Sequence, residues 1–259
     1  MLHSRGDPDM SPLAFGAVVF ACVLGGGLLG TFLRVALPER HLSAESKDLV
    51  RLAMGLIATM SALVVGLLIT TAKTAYDTQG SEFRRMSAEV VLVDRLLAHY
   101  GPEAKAAREQ LRQGAADMLR RMEAGPGLQA TPPESTARSE GFYDAIQSLS
   151  PQTDAQRSLR AEALRMALDV GLMRWLMFAQ RGSTIPLAFL VILASWFTIL
   201  FSGFGLFARF DGTVFATLLL CAFSLAAAIY LIMTLDLPFE GVVRISSDPL
   251  RDALRQLGR

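Results

Sequence analysis

The sequence predicts an all-α, polytopic membrane protein: four transmembrane helices in two hairpins, with a cytoplasmic helical-bundle insert between the second and third spans. Three observations carry this expectation. The 259-residue chain is 52% hydrophobic, with a mean hydropathy of +0.38 and a formal net charge of +1, which is too apolar for an ordinary soluble domain. Its apolar residues fall into four blocks, Pro12 to Leu37, Leu52 to Ala72, Ile185 to Ala208 and Val214 to Leu235, each meeting the roughly 20 residues that cross ~30 Å of hydrocarbon. Between the second and third blocks the apolar residues recur at three- and four-residue spacing, the period of a helix and not of a strand. The chain divides accordingly into a transmembrane hairpin over 1–73, an insert over 74–182, a second hairpin over 183–236 and a tail over 237–259.

The first block is longer than the apolar core of a secretory signal, and no Ala-x-Ala site follows it before Arg34, so it is expected to remain as a span. It carries Gly25-Gly26-Gly27-Leu28-Leu29-Gly30. This formally matches GxGxxG, but no strand precedes it and the glycines lie inside hydrocarbon, which excludes a dinucleotide site. Gly26 and Gly30 instead form a GxxxG pair that lets a neighbouring helix approach closely. The connection from Pro38 to Arg51 is short and charged, as a hairpin requires.

On the second span Gly55, Thr59, Ala62, Gly66, Thr70 and Lys73 recur at helical spacing, and Asp77 lies one turn on. Such a small, weakly polar face serves either helix packing or a water-contacting pore wall. No Pro occurs between Lys73 and Tyr100, so this helix is expected to leave the membrane and run through Tyr100, with Met86, Val90, Val93, Leu97 and Tyr100 as its apolar stripe. Gly101-Pro102-Glu103 ends it and starts another, since Gly suits the position after a helix and Pro its first turn. Leu111, Ala115, Met118 and Met122 line one side of the new helix.

Gly125 to Ala130 reads as a loop, and Thr131-Pro132-Pro133-Glu134 as the cap of a short helix reaching about Leu149. Ser150-Pro151 or Thr153-Asp154 then caps a longer helix. Its stripe of Ala161, Leu164, Leu168, Gly171, Trp175 and Phe178 is expected to pair with the Met86 to Tyr100 stripe. After Gly182-Ser183-Thr184, Pro186 stands near the start of the third span, and Arg209 to Gly212 is short enough to make the third and fourth spans antiparallel neighbours. Thr213, Thr217, Cys221, Ser224 and Ala228 give the fourth span a second small, hydroxyl-bearing face, with the same two readings as the first.

Pro238 stops the fourth helix just after Asp236, and Ser247-Asp248-Pro249 caps a final short helix with Leu250, Leu254 and Leu257 on one face. At about two turns it needs a surface to dock on: the insert, a neighbouring subunit or lipid headgroups. Lys73, Asp77 and Asp236 stand at span ends, where a lysine snorkels and an aspartate caps, or where charges form an ion entrance.

Chemistry-bearing patterns are sparse. His3, His41 and His99 share no metal-ligand spacing, Cys22 and Cys221 both lie within spans, and no GxSxG, P-loop or Cys-x-x-Cys occurs. No span carries a charge near its middle, which argues against a proton relay or voltage sensor. The expectation is a non-enzyme with no cofactor and no metal, contacting membrane lipid, ions and other copies of itself, but not nucleic acid. Basic residues flanking the spans are modestly more numerous on the side of the insert, including Arg5, Lys73, Arg84, Arg85, Arg174, Arg181, Arg244 and Arg251. That places the insert and both termini in the cytoplasm.

Leu235-Asp236-Leu237-Pro238-Phe239 with Gly241, then Arg244-Ile245-Ser246-Ser247 and Pro249-Leu250, resemble a bacterial family of membrane proteins labelled bestrophin-like. A second resemblance runs from Ala72-Lys73 through Asp77 to Val93-Asp94-Arg95-Leu96. Bestrophins are pentameric anion channels whose subunits have four membrane-associated spans, so the resemblance implies a homo-oligomeric channel of the bacterial inner membrane. No clustered acidic run matches their calcium clasp. The alternative is a non-conducting scaffold or sensor whose insert binds a partner.

Overall fold

A computed structural model describes residues 11–36, 44–124, 132–179, 185–208, 211–236 and 243–258. Its order is α1 (Pro12–Ala36), α2 (Ala44–Tyr100), a 3-10 turn (Pro102–Ala104), α3 (Lys105–Ala124), α4 (Pro132–Gln147), α5 (Asp154–Ala179), α6 (Leu187–Phe207), α7 (Gly212–Asp236) and α8 (Asp248–Gln256). No strand occurs among the described residues. Four helices, α1, α2, α6 and α7, are long and apolar enough to cross a membrane. The connections at 37–43, 125–131, 180–184, 209–210 and 237–242 lie outside the described residues, and with them the expected turns at Pro38, Gly125, Thr131, Gly182 and Pro238.

The chain forms two compact units. The first comprises residues 1–75 and 184–236. In it α1 packs against α6 and α7, and the glycines of α1 set the distance. A Cβ added at Gly26 would stand 2.7 Å from the Thr198 carbonyl oxygen, and one at Gly30 would collide with the Ser202 carbonyl. Gly205 of α6 answers from the other side, where a Cβ would strike the Gly27 carbonyl. The GxxxG pair thus works as the sequence predicts, with backbone against backbone. On α2 the Met54 side chain lies against Gly203, and the Arg51 guanidinium sits 5.9 Å from the Phe207 ring centre. Val19, Val23, Leu193, Ala222, Ile229 and Ile232 fill the core of this unit.

The second unit comprises residues 76–183 and 237–259. The part of α2 beyond Ala75 contributes Met86, Val90, Val93, Leu97 and Tyr100, all buried as their spacing requires. Gly101 then takes φ 132, a left-handed conformation that a side chain resists, and Pro102 opens the 3-10 turn. Leu111 and Ala115 are buried, and Met118 and Met122 pack beside them. Of the two expected caps for α5, the Thr153 pair is used: Thr153 Oγ1 accepts the Gln156 N–H at 3.1 Å, and Gln156 Oε1 accepts the Gln152 N–H at 2.8 Å.

The stripe expected on α5 is corrected except at Leu164, which packs against the core. Ala161, Leu168 and Trp175 are exposed, Leu168 at 58% and Trp175 at 56%, and the side chain of Phe178 lies outside the described residues. The face that enters the core runs through Leu159, Ala163, Met166, Val170, Met173 and Met177, again at 4-3-4-3-4 spacing. Apolar residues surround α5, so two stripes of equal period compete, and burial selects the one carrying Ala163 and the methionines.

The terminal helix docks on the insert of its own chain. Leu250 is fully buried with Ala253 and Leu257 close behind, and Arg251 pairs with Glu123 of α3 at 2.5 Å. Ser247 makes no side-chain capping bond; Ser246 Oγ instead accepts the Asp248 N–H at 3.1 Å and donates to Asp248 Oδ2 at 2.6 Å.

Candidate functional site

The small face of α2 points away from the chain's own core. Gly55, Thr59, Gly66 and Thr70 are all exposed, and nothing stands within 4 Å of a Cβ placed at Gly55 or Gly66. Met54, Ser61, Leu68 and Ala72 occupy the buried face. Thr59 donates to the Gly55 carbonyl at 2.9 Å and Thr70 to the Gly66 carbonyl at 2.8 Å. Each hydroxyl thus has its proton engaged locally while its lone pairs face outward.

α7 repeats the arrangement. Thr213, Thr217, Cys221 and Ser224 are exposed, Thr217 donates to the Thr213 carbonyl at 2.9 Å, and Leu218, Ala222, Ala226 and Ile229 are buried behind them. Close packing within one chain belongs to the glycines of α1 and α6, so it does not account for either hydroxyl-bearing face. Ser61 is a polar residue that periodicity alone passes over: it is buried within α2, and its Oγ finds no hydrogen-bond partner among the described residues.

The three charges at span ends separate. Lys73 and Asp77 are exposed on α2. Asp236 is 4% exposed, and its carboxylate accepts the Ile185 N–H at 3.3 Å, just ahead of α6. This bond ties the end of α7 to the residue just before the N-cap of α6.

The two signature stretches meet. Tyr76, Asp77, Gly80, Phe83 and Arg84 of α2 face Arg244, Ile245, Ser246 and Pro249 of the tail across a cleft of about 250 Å³. The Tyr76 hydroxyl donates to the Arg244 carbonyl at 3.3 Å, fixing the tail to the helix. Ser247 lies beside the cleft as the N-cap of α8. Pro238, Phe239 and Gly241 lie outside the described residues.

The tail is held at its far end by Asp94, which is 3% exposed. Arg108 grips this carboxylate with two bonds, Nε at 2.7 Å and Nη2 at 2.8 Å, and the Gly258 N–H adds a third at 3.2 Å. Burial pushes the Asp94 carboxyl up, but the Arg108 hydrogen bonds, the Gly258 N–H and the charges of Arg108 and Arg95 outweigh it and hold it below the ordinary carboxylate value. Asp94 shares a helix face with Val90 and Leu97, and a charge on an apolar stripe is the signal that marks a buried ion pair in the sequence.

Among the described residues no group of three His, Cys, Asp or Glu side chains converges as a metal site. His99 is exposed, and His3 and His41 lie outside the described residues. The family model described as the Bestrophin-like domain matches residues 21–250, from the first span to Leu250 at the start of α8. No curated protein and no solved structure matches the chain.

Proposed function

The chain belongs to the bestrophin-like domain family, and from that premise we propose that it works as a homo-oligomeric ion channel or channel-like protein. In this reading it sits in the bacterial inner membrane with both termini and the insert in the cytoplasm. The observation that carries the proposal is the open face of α2. Gly55, Thr59, Gly66 and Thr70 are exposed, and among the described residues nothing stands within 4 Å of a Cβ placed at Gly55 or Gly66, while hydroxyl lone pairs on such a face gain nothing from hydrocarbon. Copies arranged about an axis would gather these faces round a common path, where the lone pairs of Thr59 and Thr70 meet water and permeating ions. The corresponding face of α7, at Thr213, Thr217, Cys221 and Ser224, offers a second lining. Because α2 continues unbroken to Tyr100, the helix that forms the wall also forms part of a cytoplasmic vestibule, with Lys73 and Asp77 at the junction. The reading assigns no catalytic step, cofactor or metal to the chain.

The test is reconstitution of the purified protein into liposomes with an ion-flux readout. A monodisperse, helical preparation that passes no ions under any applied gradient, or a monomer without an axial path, refutes the proposal.

A second reading, a non-conducting scaffold or sensor, is favoured by one observation: Leu168, Leu172 and Trp175 expose an apolar face on α5, which suits a protein partner. A photo-crosslinker at Leu172 separates the two. Crosslinks between identical chains support the channel assembly, and crosslinks to a different protein support the scaffold.

A further inference from the structure

The cleft between α2 and the tail has the chemistry of a lipid-headgroup site. Two guanidinium groups, Arg84 and Arg244, and one carboxylate, Asp77, line it. The Ser246 hydroxyl is engaged by Asp248, which with Glu123 shares the Arg251 guanidinium outside the cleft. Counted by residue, the lining itself carries a net charge of +1 (two cations less one anion). That balance suits a phosphodiester, which bears a single negative charge, better than a phosphomonoester, whose second charge would meet Asp77. Phe83, Ile245 and Pro249 supply an apolar wall beside the arginines, so the cleft is amphipathic. Its volume of about 250 Å³ falls just below the ~300–1,000 Å³ of drug-sized ligand sites, which is headgroup scale.

Position along the helix agrees. At about 1.5 Å per residue, Tyr76 and Gly80 lie roughly 5 and 10 Å beyond Lys73. The headgroup layer is about 5 to 8 Å deep on each side of the hydrocarbon, so with the expected span ending at Ala72 the Tyr76 end of the cleft would fall at headgroup depth. Gly80 leaves the floor of the cleft clear, and the Arg84 Nη1 atom lies over it, 4.0 Å from where a Cβ would stand.

We propose that this cleft binds the phosphodiester headgroup of an anionic phospholipid, with Arg84 and Arg244 as its anchors. The proposal rests on the membrane-embedded character of the chain and not on ion conduction, so a protein that passes no ions leaves it intact. Basic pockets on the cytoplasmic side of membrane helices recognise anionic headgroups by this chemistry, at about 1 kcal/mol, or fivefold, per arginine.

The experiment uses the full chain in neutral detergent, titrated by calorimetry with short-chain phosphatidylglycerol, short-chain phosphatidylcholine and inorganic phosphate. Saturable binding of phosphatidylglycerol is expected, weakened roughly 25-fold in the double variant Arg84→Gln, Arg244→Gln and unchanged in Arg85→Gln, whose side chain bonds Glu89 outside the cleft. Equal binding of phosphatidylcholine, or a double variant that elutes and folds as the parent does and binds as tightly, overturns the proposal. Inorganic phosphate binding as tightly as the lipid assigns the site to a soluble anion and overturns the lipid assignment. Should the double variant misfold, a salt titration of the parent decides the matter: phosphatidylglycerol binding must weaken as salt rises, and salt-insensitive binding overturns it.

Discussion

Replacing Asp94 with Ala should release the C-terminal helix from the insert. The carboxylate is 3% exposed and takes three hydrogen bonds, two from Arg108 and one from Gly258. Removing one member of a fully buried ion pair costs roughly 3–5 kcal/mol, because the other charge is left without compensation. The Arg108 side chain keeps 24% exposure, so water recovers part of that loss, and a cost of about 2–4 kcal/mol is expected for opening the tail. Amide hydrogen exchange reads such local opening directly. Protection across α8 and Gly258 should fall roughly 30- to 700-fold, at a factor of ten per 1.4 kcal/mol. Unchanged protection there would show that Leu250 and Leu257 hold the tail alone and would refute the argument.

The same carboxylate predicts a pH dependence. Its pKa in the folded protein lies below the ordinary 3.8, so folding favours the ionised form. The stabilisation is complete above the ordinary value and is lost as pH falls through the folded one. Tail protection, corrected for intrinsic exchange, should be flat from neutrality down to about pH 5 and weaken below about pH 3.8, whereas Asp94→Asn should remove this component of the acid dependence.

Three further outcomes are expected. Gly30→Ala should lower the thermal midpoint in detergent, since its Cβ meets the Ser202 carbonyl and overpacking costs about 1–3 kcal/mol or more. Gly25→Ala, with nothing within 4 Å, should not lower it, and equal losses would remove close helix approach as the cause. Asp236→Ala should forfeit the bond from the Ile185 N–H, about 1.5–3 kcal/mol for a bond to a charged group, with Asp236→Asn intermediate in thermal unfolding. Lys73→Ala should alter ion selectivity while leaving assembly intact, and unchanged reversal potentials in a conducting preparation would remove Lys73 from the mechanism.

The parts of the fold that were legible are those in which one local rule acts without a rival. Met86, Val90, Val93, Leu97 and Tyr100 form the most continuous apolar stripe of their helix, with Arg85, Glu89 and Arg95 on other faces, and Gly101-Pro102 leaves one place to stop. α5 defeats the same reasoning because Leu168, Leu172 and Trp175 compete with Leu159, Ala163, Val170 and Met177. Period alone cannot rank two stripes, whereas contact with the α2 stripe can. The cleft was legible only as two separate stretches. Tyr76 and Arg244 stand 168 residues apart, and no local pattern specifies that they meet.

The small residues carry the sharper lesson. In isolation the GxxxG pair of α1 and the Gly-Thr face of α2 make the same claim, that a helix or a water path lies close by. The structure divides them. Gly26 and Gly30 are consumed by α6 at backbone contact, so the chain meets its own need for close approach there. Gly55 and Gly66 then have nothing to receive among the described residues, although glycine in a helix costs about 1 kcal/mol relative to alanine. Glycines open on a helix face bring no benefit to an isolated subunit, and neither do hydroxyls beside them directed at lipid. In the channel reading proposed above, another copy, or a column of water shared between copies, would lie against this face of α2.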